Sequence, residues 1–373
     1  MKLESIAISC GGTGGHFYPG LAVALEAKKE GKKVILLVGG KNAPKQCKMA
    51  EDLGVEAVRI PASPLSIRPR SAFAFLRDLL PGIFLSMRKM KEDRIQSLLC
   101  MGSFTSLPPA IGARFASIPL FLHDGNARLG KANKFLSRWA KLQALAFPSP
   151  DEKLLGCPAF LTGMPLRPEL LEGFTTKEKA LEMIKEKWGI AFDPARPVIL
   201  AFGGSLGAAS LNEAVASLGE TFPEEKIQLI HLAGPGKTGE LGERYKKSLE
   251  NFLLLEGTGE MALLYSAADL VISRAGGSTV AECAIAGKYT ILIPYPHAAE
   301  NHQQDNALFL AETGGAEILK DDPSLKGKLS QKIKEFFSDP ASFREKGALL
   351  QKKAFPEAAA KLLTLIEENL SPE

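Results

Sequence analysis

The amino-acid sequence predicts an α/β protein of two Rossmann-like, doubly wound parallel-sheet domains in tandem. Three observations predict it. Short, nearly continuous apolar runs alternate with helical patterns along the chain, as they do for strands buried on both faces of a parallel sheet. A strand, glycine turn and helix open the chain at Ile6–Lys29, and the same unit recurs from Val198, about half the chain later. Between them the periodicity stops at Gly163-Met164-Pro165-Leu166-Arg167-Pro168, which marks a join. The expected division is a first domain over 1–166, a second over 167–350 and a final helical segment over 351–373. Ligands of such sheets bind at the carboxyl ends of the strands, so two such edges facing across a cleft are expected.

The elements follow in order. In the first half the strand candidates are Ile6–Ser9, Val34–Val38, Leu98–Met101, Leu120–Leu122 and Ala144–Phe147, each bounded by turn residues. Helical patterns lie between them, as at Leu21–Lys29 and Phe135–Lys141. In the second half the candidates are Val198–Phe202, Ile227–Leu232, Phe252–Leu255, Leu270–Ser273 and Thr290–Ile293. The last segment, Pro356–Leu370, has the apolar stripe of an amphipathic helix.

Composition sets limits. The chain has 373 residues, 45% hydrophobic and 24% charged, which is ordinary for a globular protein. A net charge of +4 is too small to argue for nucleic acid but suits an anionic ligand or an anionic membrane surface. The five cysteines are scattered without a Cys-x-x-Cys pair, so reduced thiols are expected, with neither a disulfide framework nor a zinc site. No secretory leader and no membrane-spanning run of 18 apolar residues is expected.

Three glycine-rich turns carry the chemistry. The first is Gly11-Gly12-Thr13-Gly14-Gly15-His16, where a strand enters a helix. Glycines let a ligand approach the backbone, the helix start offers unpaired N–H groups, and His16 adds a base near neutral pH. The second strand ends Val38-Gly39-Gly40-Lys41 without the acidic residue that holds a dinucleotide ribose, and no P-loop signature occurs. The second turn, Gly203-Gly204-Ser205-Leu206-Gly207-Ala208, offers amides and a hydroxyl. The third, Arg274-Ala275-Gly276-Gly277-Ser278-Thr279-Val280-Ala281-Glu282, puts hydroxyls at a helix start and a carboxylate one turn on, suited to a phosphate and a ribose diol. After the next strand, Tyr295 to Ala307 is dense in amide and imidazole groups, a surface for sugar hydroxyls. A zinc site at His297 and His302 is disfavoured by their spacing. No Asp-x-Asp occurs, which favours neutralising a leaving diphosphate by helix dipoles and N–H groups instead of a bridging metal, so no cofactor or metal is expected.

The segment Ile67–Arg94 sets Phe73, Leu76, Leu80, Ile83, Phe84 and Met87 at helical spacing, interrupted by Pro81. Arg68, Arg70, Arg77, Arg88, Lys89, Lys91 and Arg94 surround them. One reading is a core-facing helix pair with a solvated basic face. The other is a membrane-surface patch centred on Leu80, Ile83 and Phe84, apolar with a basic rim for anionic lipid.

Taken together, the Gly11–His16 turn, Gly203-Gly204-Ser205, Arg274–Glu282 and His302-Gln303-x-x-Asn306-Ala307 resemble, in order and spacing, the MurG family of peptidoglycan N-acetylglucosaminyltransferases. The resemblance implies a GT-B fold, with a first domain for a membrane-bound lipid acceptor and a second for UDP-N-acetylglucosamine. It also implies a final helix that returns to the first domain. The implied reaction is inverting transfer of N-acetylglucosamine to the 4-hydroxyl of the N-acetylmuramoyl sugar of lipid I, at the cytoplasmic face of the membrane. By position, His16 is implied as the base and Asn126 as a catalytic asparagine of the acceptor side that also contacts UDP-N-acetylglucosamine. Thr13, Gly14, Gly15, Arg167, Ser205, Gly277, Ser278, Thr279, Val280, Ala281, Glu282 and Gln303 are implied around UDP-N-acetylglucosamine. The chain departs from the usual pattern at His123-Asp124-Gly125-Asn126 (usually His-Glu-Gln-Asn) and at Gly102-Ser103-Phe104-Thr105-Ser106 (usually Gly-Gly-Tyr-Val-Ser). It departs again at Gly163-Met164-Pro165-Leu166-Arg167, usually Gly-Asn-Pro-Val-Arg. Two alternatives stand beside this reading. One is a related GT-B transferase with another lipid acceptor, and the other is a UDP-N-acetylglucosamine 2-epimerase, which needs acidic groups near the sugar such as Asp124 or Glu300.

Overall fold

A computed structural model describes residues 2–64, 69–222 and 227–370. The chain divides into two compact units, Met1–Arg167 with Phe355–Glu373, and Pro168–Ala354.

The first unit holds seven parallel strands: β1 (Ser5–Gly11), β2 (Lys33–Gly39), β3 (Glu56–Ile60), β4 (Ser97–Cys100), β5 (Leu120–Asp124), β6 (Ala140–Leu145) and β7 (Ala159–Leu161). Their order is β3-β2-β1-β4-β5-β6-β7. The central strands β1, β4 and β5 are buried along their whole length because helices cover both faces of the sheet, and two buried clusters result. One contains Ile8, Leu21, Leu36 and Leu99, and it also takes in Leu362, Leu363 and Ile366 from the last helix, Ala358–Glu368. That helix packs on the first helix, Gly14–Lys29, and Lys361 Nζ donates to the Leu161 carbonyl at 2.8 Å.

The second unit repeats the plan with β8 (Val198–Phe202), β9 (Gln228–Leu232), β10 (Asn251–Leu255), β11 (Leu270–Ser273), β12 (Tyr289–Leu292) and β13 (Ala316–Ile318). Its parallel order is β10-β9-β8-β11-β12-β13. In both sheets the order reverses beside the first strand of the unit, between β1 and β4 and between β8 and β11. A crevice for ligand opens at such a reversal, outside the carboxyl ends. All three glycine-rich turns lie there.

Several expectations need correction. The first helix begins at Gly14, seven residues before the apolar pattern does, and carries Pro19 within its buried face. The helix expected over Phe135–Lys141 ends earlier: residues Lys131–Leu136 are α-helical, Ser137–Trp139 form a 3-10 turn, and β6 already begins at Ala140. Pro81 does not break the basic amphipathic segment, which is one helix over Pro69–Glu92. Ile67 and Arg68 of that segment lie outside the described residues. The strands β3, β7 and β13 carried no clear signal, being short or half-exposed at or near sheet edges. All five cysteines are free thiols.

Two histidines sit wholly inside the units. Burial depresses His123 to about 4 and His231 to about 4. An unfolded histidine titrates near 6.5, so between pH 6.5 and 4 the unfolded chain binds more protons than the folded one. Stability is therefore fully present above pH 6.5 and declines as pH falls toward 4. Chemical unfolding followed at pH 7.5 and pH 5 should show a lower midpoint at pH 5, and equal midpoints would contradict the neutral burial of both rings.

Candidate active site

In the first unit, β1 runs into Gly11 and Gly12, both at positive φ. A Cβ on Gly11 would lie 2.4 Å from the Gly39 carbonyl oxygen at the end of β2, so no side chain fits. Gly12 N–H donates to that same carbonyl at 2.9 Å. The helix then starts, and the Gly14 and Gly15 amides have no partner among the described residues. With the helix dipole behind them, these amides favour an anionic or electron-rich group.

His16 lies on the first turn of this helix, half-buried. Its Nδ1 is 3.0 Å from Thr13 Oγ1, and the other edge of the ring lies over Gly102, where an added Cβ would meet Cδ2 at 3.3 Å and Nε2 at 3.6 Å. When Nδ1–H donates to the threonine hydroxyl, Nε2 is the nitrogen that accepts a proton. Thr13 is thereby the group that orients the imidazole.

The turn after β4 supplies the opposite wall. Ser103 there has φ 69° and ψ 167°, a region open essentially to glycine alone. Its Oγ lies 3.1 Å from where a Cβ on Gly12 would be, so the hydroxyl covers the bare face of the β1 turn. This is the position at which the resembling family usually has a second glycine. Here a serine stands in a glycine-type backbone.

After β5, Asp124 is buried and used structurally. Its carboxylate accepts from Gly130 N–H at 2.8 Å, from Asn133 Nδ2 at 2.9 Å and from Asn126 N–H at 3.3 Å. The carboxylate thus shapes the turn that carries Asn126. Gly125 packs against Met164, and a Cβ on it would come 3.8 Å from the Gly15 carbonyl oxygen. The His16 and Asn126 turns therefore meet at one sheet edge. His123, held neutral, donates from Nε2 to the Gly163 carbonyl at 3.1 Å. Arg167 stacks its guanidinium 4.7 Å from the Tyr18 ring centroid, on the same helix as His16.

The second unit has a cavity of about 810 Å³ at the carboxyl ends of β8 and β11. Ser205, Thr279 and Gln303 line it, with the Gly203–Gly207 turn and Gly276. Gln303 Oε1 accepts from Tyr295 N–H at 2.9 Å, which aims its amide nitrogen elsewhere. Ser278 is half-buried on the same helix start, while Gly277 and Val280 are buried, so those two offer only backbone to a ligand. Ala281 is half-buried, one residue before Glu282. Glu282 does not line this cavity, and its Oε2 accepts from the Tyr265 hydroxyl at 3.1 Å.

Arg274 was part of a motif, but its role was not legible in the sequence. Its buried guanidinium donates to Asp321 Oδ2 at 2.7 Å, to Ser210 Oγ at 3.0 Å and to the Ile293 carbonyl at 3.0 Å. It ties together the ends of three elements on the cavity wall. Asp321 carried no signal at all, because only the fold brings it to residue 274.

On the helix Pro69–Glu92, Leu80 and Phe84 are 60% and 62% exposed, in one stripe with Phe73 and Leu76. Ile83 is the exception to the expected patch, being only 7% exposed. It falls with Ser86 and Met90 on the opposite stripe, which faces the core. The basic rim is partly neutralised: Arg77 pairs with Asp78, Arg88 with Glu92, and Lys89 with Glu56 and Asp93.

Comparison with known proteins identifies the lineage. Residues 6–144 match the glycosyltransferase family 28 N-terminal domain, and residues 198–362 match the family 28 C-terminal domain. The chain is 33% identical over 98% of its length, and 98% of the relative's, to the UDP-N-acetylglucosamine–N-acetylmuramyl-(pentapeptide) pyrophosphoryl-undecaprenol N-acetylglucosamine transferase of Thermodesulfovibrio yellowstonii. The crystal structure of Acinetobacter baumannii MurG superposes with a TM-score of 0.73 at 27% identity, covering 98% of this chain and 99% of that one. A UDP-GlcNAc 2-epimerase from Neisseria meningitidis reaches a TM-score of 0.68 at 12% identity, covering 98% of this chain and 99% of that one, and shares the fold alone. Both halves of the chain thus match the two domains of a single family in a GT-B fold, and this protein belongs to glycosyltransferase family 28, in its MurG branch.

Proposed function

We propose that this protein transfers N-acetylglucosamine from UDP-N-acetylglucosamine to the 4-hydroxyl of the N-acetylmuramoyl sugar of lipid I, forming lipid II. The observation that carries the reading is the 33% identity to a transferase of that name along 98% of both chains. The first unit takes the acceptor. His16, oriented by Thr13, receives the proton of the attacking hydroxyl on Nε2, and Asn126 and the Gly14 and Gly15 amides bind the sugars and diphosphate nearby. The second unit takes the donor. Ser205 and the turn at Gly203 meet the diphosphate, the helix start at Gly277–Thr279 adds its amides, and Gln303 meets the sugar, while Glu282, one helical turn on and off the cavity lining, is assigned to the ribose by the family resemblance alone. Arg167, the last residue of the first unit before the join, is assigned to the donor by the family resemblance alone.

The acceptor oxygen forms its bond to C1 as the bond from C1 to the UDP oxygen breaks, which inverts C1. The departing electron pair and charge stay on UDP, where helix-start amides are already oriented toward a phosphate. Asp124, the carboxylate an epimerase reading would use, is instead committed to three N–H donors that shape its own turn.

No helix among the described residues is long and apolar enough to cross a membrane. The lipid-linked acceptor is reached from the surface instead. The exposed stripe of Phe73, Leu76, Leu80 and Phe84 suits the boundary of the cytoplasmic leaflet, and anionic phospholipid there attracts the neighbouring arginines and lysines.

Three outcomes test these assignments. Incubated with UDP-N-acetylglucosamine, the protein should release UDP only when a lipid I analogue is present. Formation of UDP-N-acetylmannosamine without acceptor would establish the epimerase instead. His16→Ala should leave UDP affinity near that of the wild type and lower kcat by roughly 10²- to 10⁴-fold, and a fully active variant would remove His16 from proton transfer. Leu80→Glu combined with Phe84→Glu should reduce sedimentation with phosphatidylglycerol vesicles while leaving the melting temperature nearly unchanged. Undiminished binding would place lipid contact elsewhere.

A further inference from the structure

A chain of buried polar side chains lies behind the donor cavity, in the core of the second unit. Tyr245, His231 and Asn212 are almost fully buried, and none of them lines the cavity. Asn212 Nδ2 is 2.8 Å from the Ala233 carbonyl oxygen, His231 Nε2 is 3.1 Å from Asn212 Oδ1, and Tyr245 Oη is 2.6 Å from His231 Nδ1. The direction of every bond follows from one end. A carbonyl only accepts, so Asn212 must present its amide nitrogen to Ala233 and its oxygen to His231. The imidazole therefore carries its proton on Nε2, and Nδ1 accepts from the tyrosine hydroxyl. The ring's burial as the neutral form agrees with this tautomer.

The far end of the chain abuts the ligand turn. The Ala233 carbonyl lies against Gly207, where an added Cβ would be 2.0 Å from its oxygen, and Gly234 stacks on Gly207 from the same side. Asn212 itself sits on the first turn of the helix Ala209–Thr221 that the glycine turn leads into. Lys237 adds a donor from outside, with Nζ 3.1 Å from the Leu206 carbonyl. The Gly203–Gly207 turn contains two glycines at positive φ, and its one internal backbone bond is Gly207 N–H to the Gly204 carbonyl at 2.9 Å. Something besides that bond must hold it in one shape.

From this geometry we infer that Tyr245, His231 and Asn212 are positioning residues for the donor. Their directed hydrogen-bond chain locks the end of β9 to the first helical turn, and so holds the Gly203–Gly207 amides ready for the diphosphate before it binds. The cost of ordering the turn is met on folding instead of on binding. This rests on the reading of the second-unit cavity as the UDP-sugar site.

The test is UDP affinity by titration calorimetry beside kcat and KM. Asn212→Asp keeps the side-chain shape and the acceptor for His231 but turns a donor against the Ala233 carbonyl into a repelling oxygen. It should weaken UDP binding and raise the donor KM roughly five- to thirty-fold, the equivalent of one or two hydrogen bonds, with kcat within about threefold of the wild type. Tyr245→Phe, a gentler change that removes only the hydroxyl, should move the same quantities in the same direction by less. Leu218→Ala, in the same helix and core but outside the chain, should lower the melting temperature without moving UDP affinity. Wild-type affinity in Asn212→Asp, or an equal loss in Leu218→Ala, overturns the inference while leaving the donor site in place. A wild-type protein that does not bind UDP overturns the donor reading and the inference with it.

Discussion

The structure depends on backbone meeting backbone at the carboxyl ends of its central strands. At Gly11 the chain passes within a hydrogen's reach of the Gly39 carbonyl, and at Gly207 it does the same with Ala233. Any side chain at either place would drive the turn away from its neighbour. Because these turns stay close, the helices that follow begin directly at the sheet edge, with their unpaired amides at the crevice where the strand order reverses. Contact without side chains is thus the condition for both turns to stay at the sheet edge.

The polar groups divide according to whether the fold has already used them. Asp124 and Arg274 look reactive by residue type, yet each is held by the fold: the carboxylate by three N–H donors, the guanidinium by a carboxylate, a hydroxyl and two carbonyls. They shape the walls. His16 meets Thr13 through one ring nitrogen, and when that nitrogen donates, the other is the acceptor. The distinction between architecture and chemistry rests on these partners more than on residue type.

Much of this was legible in the sequence, for physical reasons that can be named. Strands buried on both faces, such as β1, β8 and β11, are apolar along most of their length, so they stand out. β3 and β7 are short edge strands that need not be, and they do not stand out. The glycine turns were visible because close approach demands glycine. Helical spacing alone placed Ile83 in the surface patch, since one periodic pattern contains both a core stripe and an outer one, and only packing separates them. Asp321 was invisible because its partner Arg274 is 47 residues away and no local pattern joins them.

Ser103 has a consequence of its own. A non-glycine residue in that backbone region costs of order 1–3 kcal/mol, a sizeable share of the 5–15 kcal/mol by which a domain is stable. Its hydroxyl has no hydrogen-bond partner among the described residues, so the folded chain gains nothing evident in return. For folding alone, a glycine there would relieve that cost. The serine therefore stores tension beside His16, in the turn that follows β4 at the carboxyl edge of the first sheet.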